Sequence, residues 1–168
     1  LAEDEKLVNA FLSDEDIHRR TAAEIFNVPL ATVSGELRDR AKAVNFGIIY
    51  GISGFGLAKG VGVSRKEAEA FIDAYFQRYK GVKSYLETSI AQAKEDGYVS
   101  TIMNRRRYLP DLKARNFQRR SFAERMARNT PIQGSAADLI KLAMVRVEAR
   151  LRQEKLPAAL LVQVHDEL

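Results

Sequence analysis

The chain has 168 residues, 46% of them hydrophobic and 29% charged, with no cysteine and a formal net charge of +5. That is enough apolar material for a sizeable core in one globular unit or part of one. The lack of cysteine excludes disulfides and thiolate metal sites, and no apolar run approaches the roughly 18 residues of a transmembrane helix, so no membrane partner is expected.

The opening stretch, LAEDEKLVNAF, has no initiator Met, no basic n-region and no apolar h-region, so it is not read as a signal peptide. Residues 2–12 are predicted as a helix with Leu7, Val8, Phe11 and Leu12 on its apolar side. Ser13 to Asp16 supply capping and acidic first-turn residues for a second helix over 15–26, with Ile17, Ala22, Ile25 and Phe26 inward. His18 sits near the start of that helix, where phosphate binding is favourable, although a lone histidine is as a rule a surface or satisfied core residue.

Asn27-Val28-Pro29 breaks the pattern, and Ser34 is the expected N-cap of a helix over 34–50. On that helix Arg38, Lys42, Phe46 and Tyr50 recur at i, i+4, i+8 and i+12. Each step drifts about 40°, so the four form one slowly winding stripe about 18 Å long. Its start carries two cations, which suit a triphosphate, and its end carries two aromatic rings, which suit a base. Ala41, Ala43, Val44, Ile48 and Ile49 are left to anchor the helix on a core. A solvated cationic face and buried aromatics would give the same spacing, so the pattern alone leaves both readings open.

Five glycines between Gly51 and Gly62 fit neither phosphate-loop fingerprint. They are expected to form turns that let the backbone pass close to a neighbour such as a template strand. Ser64 and Glu67 form a capping box for a helix with Ala68, Phe71, Ile72, Tyr75 and Phe76 inward. Lys80-Gly81 ends it, and another helix spans 82–95 and stops at Gly97. Residues 98–103 and 107–109 have strand character, with Asn104-Arg105-Arg106 as the hairpin turn and three successive arginines at its tip.

Arg105 to Arg128 holds nine basic residues and two acidic ones, a local charge of +7 against −2 for the remainder. This regional basicity points to a polyanionic partner such as nucleic acid, or to a solvated arginine-rich helix. A long helical region over 116–154 is expected to be interrupted and kinked at Pro131. Arg125, Asn129 and Gln133 form a polar stripe at that bend, suited to base edges and sugar oxygens or to plain solvation. Ile132, Ala136, Leu139, Ile140, Ala143, Met144 and Val147 form an apolar face. Residues 159–164 read as a buried strand that delivers His165, Asp166 and Glu167, either a divalent-metal site or an acidic turn.

Several of these stretches together resemble family A DNA polymerases. Arg38, Lys42, Phe46, Gly47, Tyr50 and Gly51 match the spacing of the family's motif B, and Val164 to Glu167 resembles its motif C. Arg125, Asn129, Pro131, Gln133 and Gly134 are similar to its duplex-contacting helix. Asn104 to Pro110 is similar to its arginine hairpin, with Asn104 where glycine is usual. Asp16-Ile17-His18 is similar to the helix whose histidine touches the triphosphate.

The resemblance implies a mainly α fold with a small β component (α+β), helical fingers joined to an incomplete palm of a right-hand polymerase. Its segments would be palm-to-fingers helices over 1–30, fingers over 31–97, a basic hairpin and loop over 98–115, and the palm helix and motif C strand over 116–168. It implies nucleotidyl transfer from a dNTP to a primer 3′-OH with two Mg²⁺ ions. His18, Arg38 and Lys42 would meet the triphosphate, Lys42 also donating a proton to pyrophosphate. Phe46 would pack on sugar and base, and Tyr50 would close over the nascent pair. Arg105, Arg106, Arg125, Asn129, Gln133 and His165 would contact primer–template DNA. Asp166 would hold Mg²⁺, with Glu167 in support.

The partners implied are DNA and dNTP, the state a monomer, and the location the bacterial cytoplasm at the nucleoid; phage and organellar versions share the motifs. The family's second metal carboxylate, in a D-Y-S-Q-I-E-type segment before motif B, is absent from this sequence, so the isolated chain is expected to be inactive. A non-enzymatic helical nucleic-acid-binding module accounts for the basic segment but not for the Lys42–Phe46–Tyr50 spacing. A metal-dependent nuclease around Asp166 and Glu167 would need further carboxylates.

Overall fold

The computed structural model describes residues 1–165 and 167. Helices dominate: α1 (Glu5–Leu12), α2 (Ile17–Ile25), α3 (Gly35–Ile49), α4 (Gly54–Val61), α5 (Arg65–Arg78), α6 (Lys80–Asp96) and α7 (Phe117–Gln153). Between α6 and α7 a short antiparallel hairpin pairs β1 (Tyr98–Ser100) with β2 (Arg106–Tyr108), Tyr98 opposite Tyr108. This is the mainly α architecture with a small β component that the resemblance implies.

The helix starts are set by local chemistry. Asp16, Ser34, Ser53, Ser64 and Asn116 each accept a hydrogen bond from a backbone N–H three residues ahead, satisfying an orphan donor of the first turn. At Ser64 the box is reciprocal, because the Glu67 carboxylate accepts from the Ser64 N–H at 2.9 Å. Gly97, at φ +79°, closes α6 in the left-handed conformation that glycine tolerates best.

One carboxylate serves two helices. Asp4 accepts from Leu7 N at 3.2 Å and from Gly81 N at 2.8 Å, tying the starts of α1 and α6 together. A Cβ at Gly81 would lie 2.9 Å from the Asp4 Cα, so glycine is needed here for the approach of two backbones.

Two apolar clusters hold the chain, and α6 runs through both. Val44, Ile48, Leu57, Tyr75 and Tyr79 pack with Val82 and Leu86 of α6 beneath α3, α4 and α5. Val99, Leu109, Leu112, Ala123 and Ala127 pack with Ala93, further along α6, beneath the hairpin and α7. A smaller cluster of Ala22, Val33 and Ala41 lets α2 and α3 approach closely.

Several sequence expectations are corrected. Gly54, Gly56 and Gly60 lie in helix α4, not in turns. Gly54 is needed for packing against α5, since a Cβ there would meet Glu69 Cγ at 2.6 Å. Lys80 and Gly81 start α6 directly after Tyr79. Val8, Phe11 and Leu12 of α1 are exposed, whereas the residue it buries is Ala10.

Pro131 neither ends nor divides α7, which is one helix of 37 residues. Proline cannot donate to the carbonyl of Ala127, but tertiary contacts hold the helix across the gap. Ser135 Oγ donates to the Pro131 carbonyl and accepts from Ile102 N. Gly134 lies so close to the hairpin that a Cβ would stand 2.7 Å from Thr101 Cγ2.

Beyond that contact the expected apolar face of α7 is largely uncovered: Ala136, Leu139 and Val147 are exposed among the described residues. Residues 159–163 are not a strand but irregular chain, exposed except for the half-buried Leu160, with Leu161 91% accessible. Val164 makes an isolated bridge to Glu167.

Candidate functional site

The α3 stripe forms one accessible face. Phe46 and Tyr50 are 42% and 39% exposed, with Lys42 also exposed and Arg38 half-exposed. The Phe46 and Tyr50 rings stack at 6.2 Å with 19° between planes. The opposite side anchors the helix through Ala41, Val44 and Ile48; Ala43, expected in the core, is exposed.

Helix α2 lies beside this stripe and orders its cationic end. His18 sets its ring 5.6 Å from that of Phe46. Asp16, the N-cap of α2, pairs with Arg38 at 2.6 Å between Oδ2 and Nε. That bond holds the Asp16 carboxyl below the usual aspartate range and raises Arg38. It leaves Nη2 of Arg38 for an anion, while Nη1 lies 3.9 Å from Asp39 Oδ1. The His18 imidazole is pushed down, first by burial and then by the charges of Arg38 and Lys42, against the pull of Asp16.

Asn45 was not a candidate on sequence, yet it is only 4% exposed and reaches both neighbours on α2. Its Nδ2 lies 2.9 Å from His18 Nδ1 and 3.2 Å from Thr21 Oγ1. The available signal was a polar residue between the core positions Val44 and Ile48 of an otherwise apolar face.

The basic segment builds a second surface. Arg105 is pinned to Asp138 of α7 at 2.7 Å, and Thr101 Oγ1 donates to the same buried carboxylate at 2.5 Å. These two bonds lower the Asp138 carboxyl against the effect of burial. Arg106 lies in β2, not in the hairpin turn where the sequence put it, and Arg107 follows it in the strand as expected. Arg106 stands 4.6 Å over the Tyr98 ring. On α7, Arg125 and Gln133 are exposed, and the guanidinium of Arg125 lies 5.8 Å from the Phe122 ring. Asn129 is half-buried with Oδ1 unpartnered among the described residues.

The two surfaces meet at Gly51. This residue, at φ +71°, follows Tyr50 and packs against α7 so closely that a Cβ would stand 2.5 Å from Arg128 Nη1 and 3.6 Å from Arg125 Cγ. The aromatic end of the α3 stripe therefore adjoins the polar stripe of α7.

At the far end of the chain, His165 has φ +56° and is exposed, and Glu167 is exposed. Asp166 lies outside the described residues. Among the described residues no three His, Asp or Glu side chains gather to hold a metal ion. No helix among the described residues is long and apolar enough to cross a membrane.

Comparison with known proteins covers the whole sequence. Residues 1–168 match the family model described as DNA polymerase family A. The chain is 58% identical to DNA polymerase I of Bacillus caldotenax over 168 residues, all of this chain and 19% of that protein. It is 56% identical to DNA polymerase I of Bacillus subtilis (strain 168) over the same share of both. It also superimposes, with a TM-score of 0.93 and 46% identity, on the POL domain of Pol1 from M. smegmatis, solved in complex with DNA primer-template and dNTP, covering 99% of this chain and 29% of that one. The chain spans about a fifth of the length of the curated relatives it matches. By sequence along its full length and by fold, it belongs to DNA polymerase family A.

Proposed function

We propose that the chain forms the nucleotide-gripping fingers and part of the palm of a template-directed DNA polymerase. The observation that carries this reading is the accessible face of α3. Its cations and stacked rings present both ends of a nucleotide with complementary partners, and His18 abuts Phe46. In this reading residues 1–30 connect palm to fingers, 31–97 are fingers, 98–115 the basic hairpin, and 116–168 palm.

The reaction is attack of a primer 3′ oxygen on the α-phosphorus of a deoxynucleoside triphosphate. A new P–O bond forms, the α–β bridging P–O bond breaks, and pyrophosphate departs. Arg38, Lys42 and His18 neutralise and hydrogen-bond the triphosphate, and Lys42 supplies a proton to the leaving group. Phe46 packs on the sugar and base, and Tyr50 covers the nascent pair. Arg105 is held by Asp138, so its share in DNA contact is orienting the hairpin; Arg106, with Arg125, Asn129, Gln133 and His165, faces primer–template DNA. Asp166 would hold Mg²⁺ with Glu167 in support, and the metal would stabilise charge on the attacking and leaving oxygens. The working enzyme is a monomer in the bacterial cytoplasm, at the nucleoid.

Titration with a labelled dNTP and, separately, with labelled primer–template tests the reading. Lys42→Ala should weaken the triphosphate while DNA affinity persists; equal loss of both would instead favour a general nucleic-acid-binding module. The isolated chain should show no Mg²⁺-dependent primer extension, and incorporation by it would overturn the assignment of missing metal ligands.

A further inference from the structure

Asn45 sits where α3 faces α2, and its environment poses a question of chemistry. A buried side chain of this size in an apolar helix face is ordinarily Leu or Ile. Here it is an amide whose Oδ1 is buried without a partner among the described residues. Packing alone is served worse by this residue than by an apolar one of similar volume. What the amide provides is its NH₂ group. One hydrogen goes to Thr21 Oγ1 and the other to His18 Nδ1.

A hydrogen bond received at Nδ1 has a definite consequence. In neutral imidazole one nitrogen carries the proton and the other accepts. With Nδ1 accepting from Asn45, the proton resides on Nε2, on the other side of the ring. The Phe46 ring at 5.6 Å limits rotation of the imidazole. We infer that Asn45 is a positioning residue that fixes the His18 tautomer, so that Nε2–H is the donor presented to the nucleotide's phosphates. This rests on the triphosphate role proposed above for the α3 face. The logic is that of a ligating histidine oriented through its second nitrogen, applied to an anion in place of a metal.

The charged groups facing His18 are Asp16 at the start of α2 and Arg38 and Lys42 on α3. Burial, Arg38 and Lys42 all favour the neutral ring, as the tautomer argument requires. Asp16 opposes them but is itself engaged by Arg38.

Two substitutions separate tautomer control from mere packing, made in a complete polymerase polypeptide carrying this chain. Asn45→Leu keeps the number and branching of the side-chain heavy atoms and removes the donor. It should raise KM for dNTP about tenfold, in the range for loss of an orienting partner, with DNA affinity and melting temperature little changed. Asn45→Asp reverses the polarity at Nδ1. At pH above the imidazole titration the proton would move to Nδ1 and leave Nε2 an acceptor facing phosphate oxygens. Below it, the imidazolium again donates from Nε2. The KM of Asn45→Asp relative to wild type should therefore rise with pH through the His18 titration, which the new carboxylate at Nδ1 raises against the downward push of burial, Arg38 and Lys42.

His18→Ala supplies the third arm. Combined with His18→Ala, Asn45→Leu should add nothing further to KM. Equal effects of Asn45→Leu with and without His18, or a flat relative pH profile for Asn45→Asp, would overturn the role of Asn45. If His18→Ala alone leaves KM unchanged, the failure lies with the phosphate-binding role of His18 itself.

Discussion

Asp4 offers a sharp test of how the fold is closed. Its Oδ1 accepts from Leu7 N at the start of α1, and its Oδ2 accepts from Gly81 N at the start of α6, 77 positions away. Each is an N-terminal orphan donor of a helix, and loss of such a cap costs about 1 kcal/mol. Asp4→Ala should thus cost about 2 kcal/mol, because one truncation uncaps two helices. For a chain of this length, 1 kcal/mol corresponds to roughly 2–4 °C in melting temperature, so the expected fall is about 4–8 °C.

Asp4→Asn separates the two bonds. An amide offers one oxygen, so one cap survives while the NH₂ group confronts the other N–H, and the loss should fall between wild type and Asp4→Ala. Thermal unfolding followed by far-UV circular dichroism measures both variants. A change below about 1 °C for Asp4→Ala, too small for even one lost cap, would refute the claim that Asp4 joins the two helix starts.

Other outcomes follow from the same structure. The Asp16 carboxyl is depressed, chiefly by its bond to Arg38, so its stabilising contribution is present at pH values above the ordinary aspartate range and is lost as pH falls through the lowered value. The stability gap between wild type and Asp16→Asn should accordingly close on acidification from pH 7 to about 2; a constant gap in denaturant titrations would contradict the pairing. Gly51→Ala places a Cβ at φ +71° and 2.5 Å from a movable Arg128 nitrogen. The backbone cost of about 1–2 kcal/mol should therefore persist in an Arg128→Ala background, as double-mutant thermal melts will reveal. Replacing Arg106 with Ala should weaken DNA binding and reduce the slope of log K against log salt by about 1, while an unchanged slope would mean that this side chain faces solvent alone.

The features legible in the sequence were those whose causes are local. The caps at Asp16, Ser34 and Ser64, the stop at Gly97 and the helical spacing of the α3 stripe each depend on residues within about four positions of one another. The glycine-rich stretch was misread because glycine was taken as a turn signal. Ser53, capping Gly56 N at 3.2 Å, was the local cue for α4, and the need for Gly54 lies in α5. Pro131 was misjudged for the parallel reason: the contacts that carry α7 past it come from the hairpin, about thirty residues earlier.

The apolar face of α7 and the run at 159–164 show a different limit. A hydrophobic pattern states which side of an element favours burial, not what covers it. In the candidate site, the stripe residues themselves could be read from spacing, but the groups that orient them could not. Asp16 looked like a cap and also holds Arg38. Asn45 looked like a blemish in an apolar face and reaches His18.

The central claim is that one face of α3 holds a nucleotide by its phosphates and its base together. Photocrosslinking with a base-azido dNTP, followed by peptide mapping, tests both ends at once. The account predicts label on the peptide bearing Phe46 and Tyr50, displaced by unlabelled dNTP and strongly reduced in Lys42→Ala. Label distributed elsewhere, or on the same peptide but indifferent to Lys42→Ala, would contradict it.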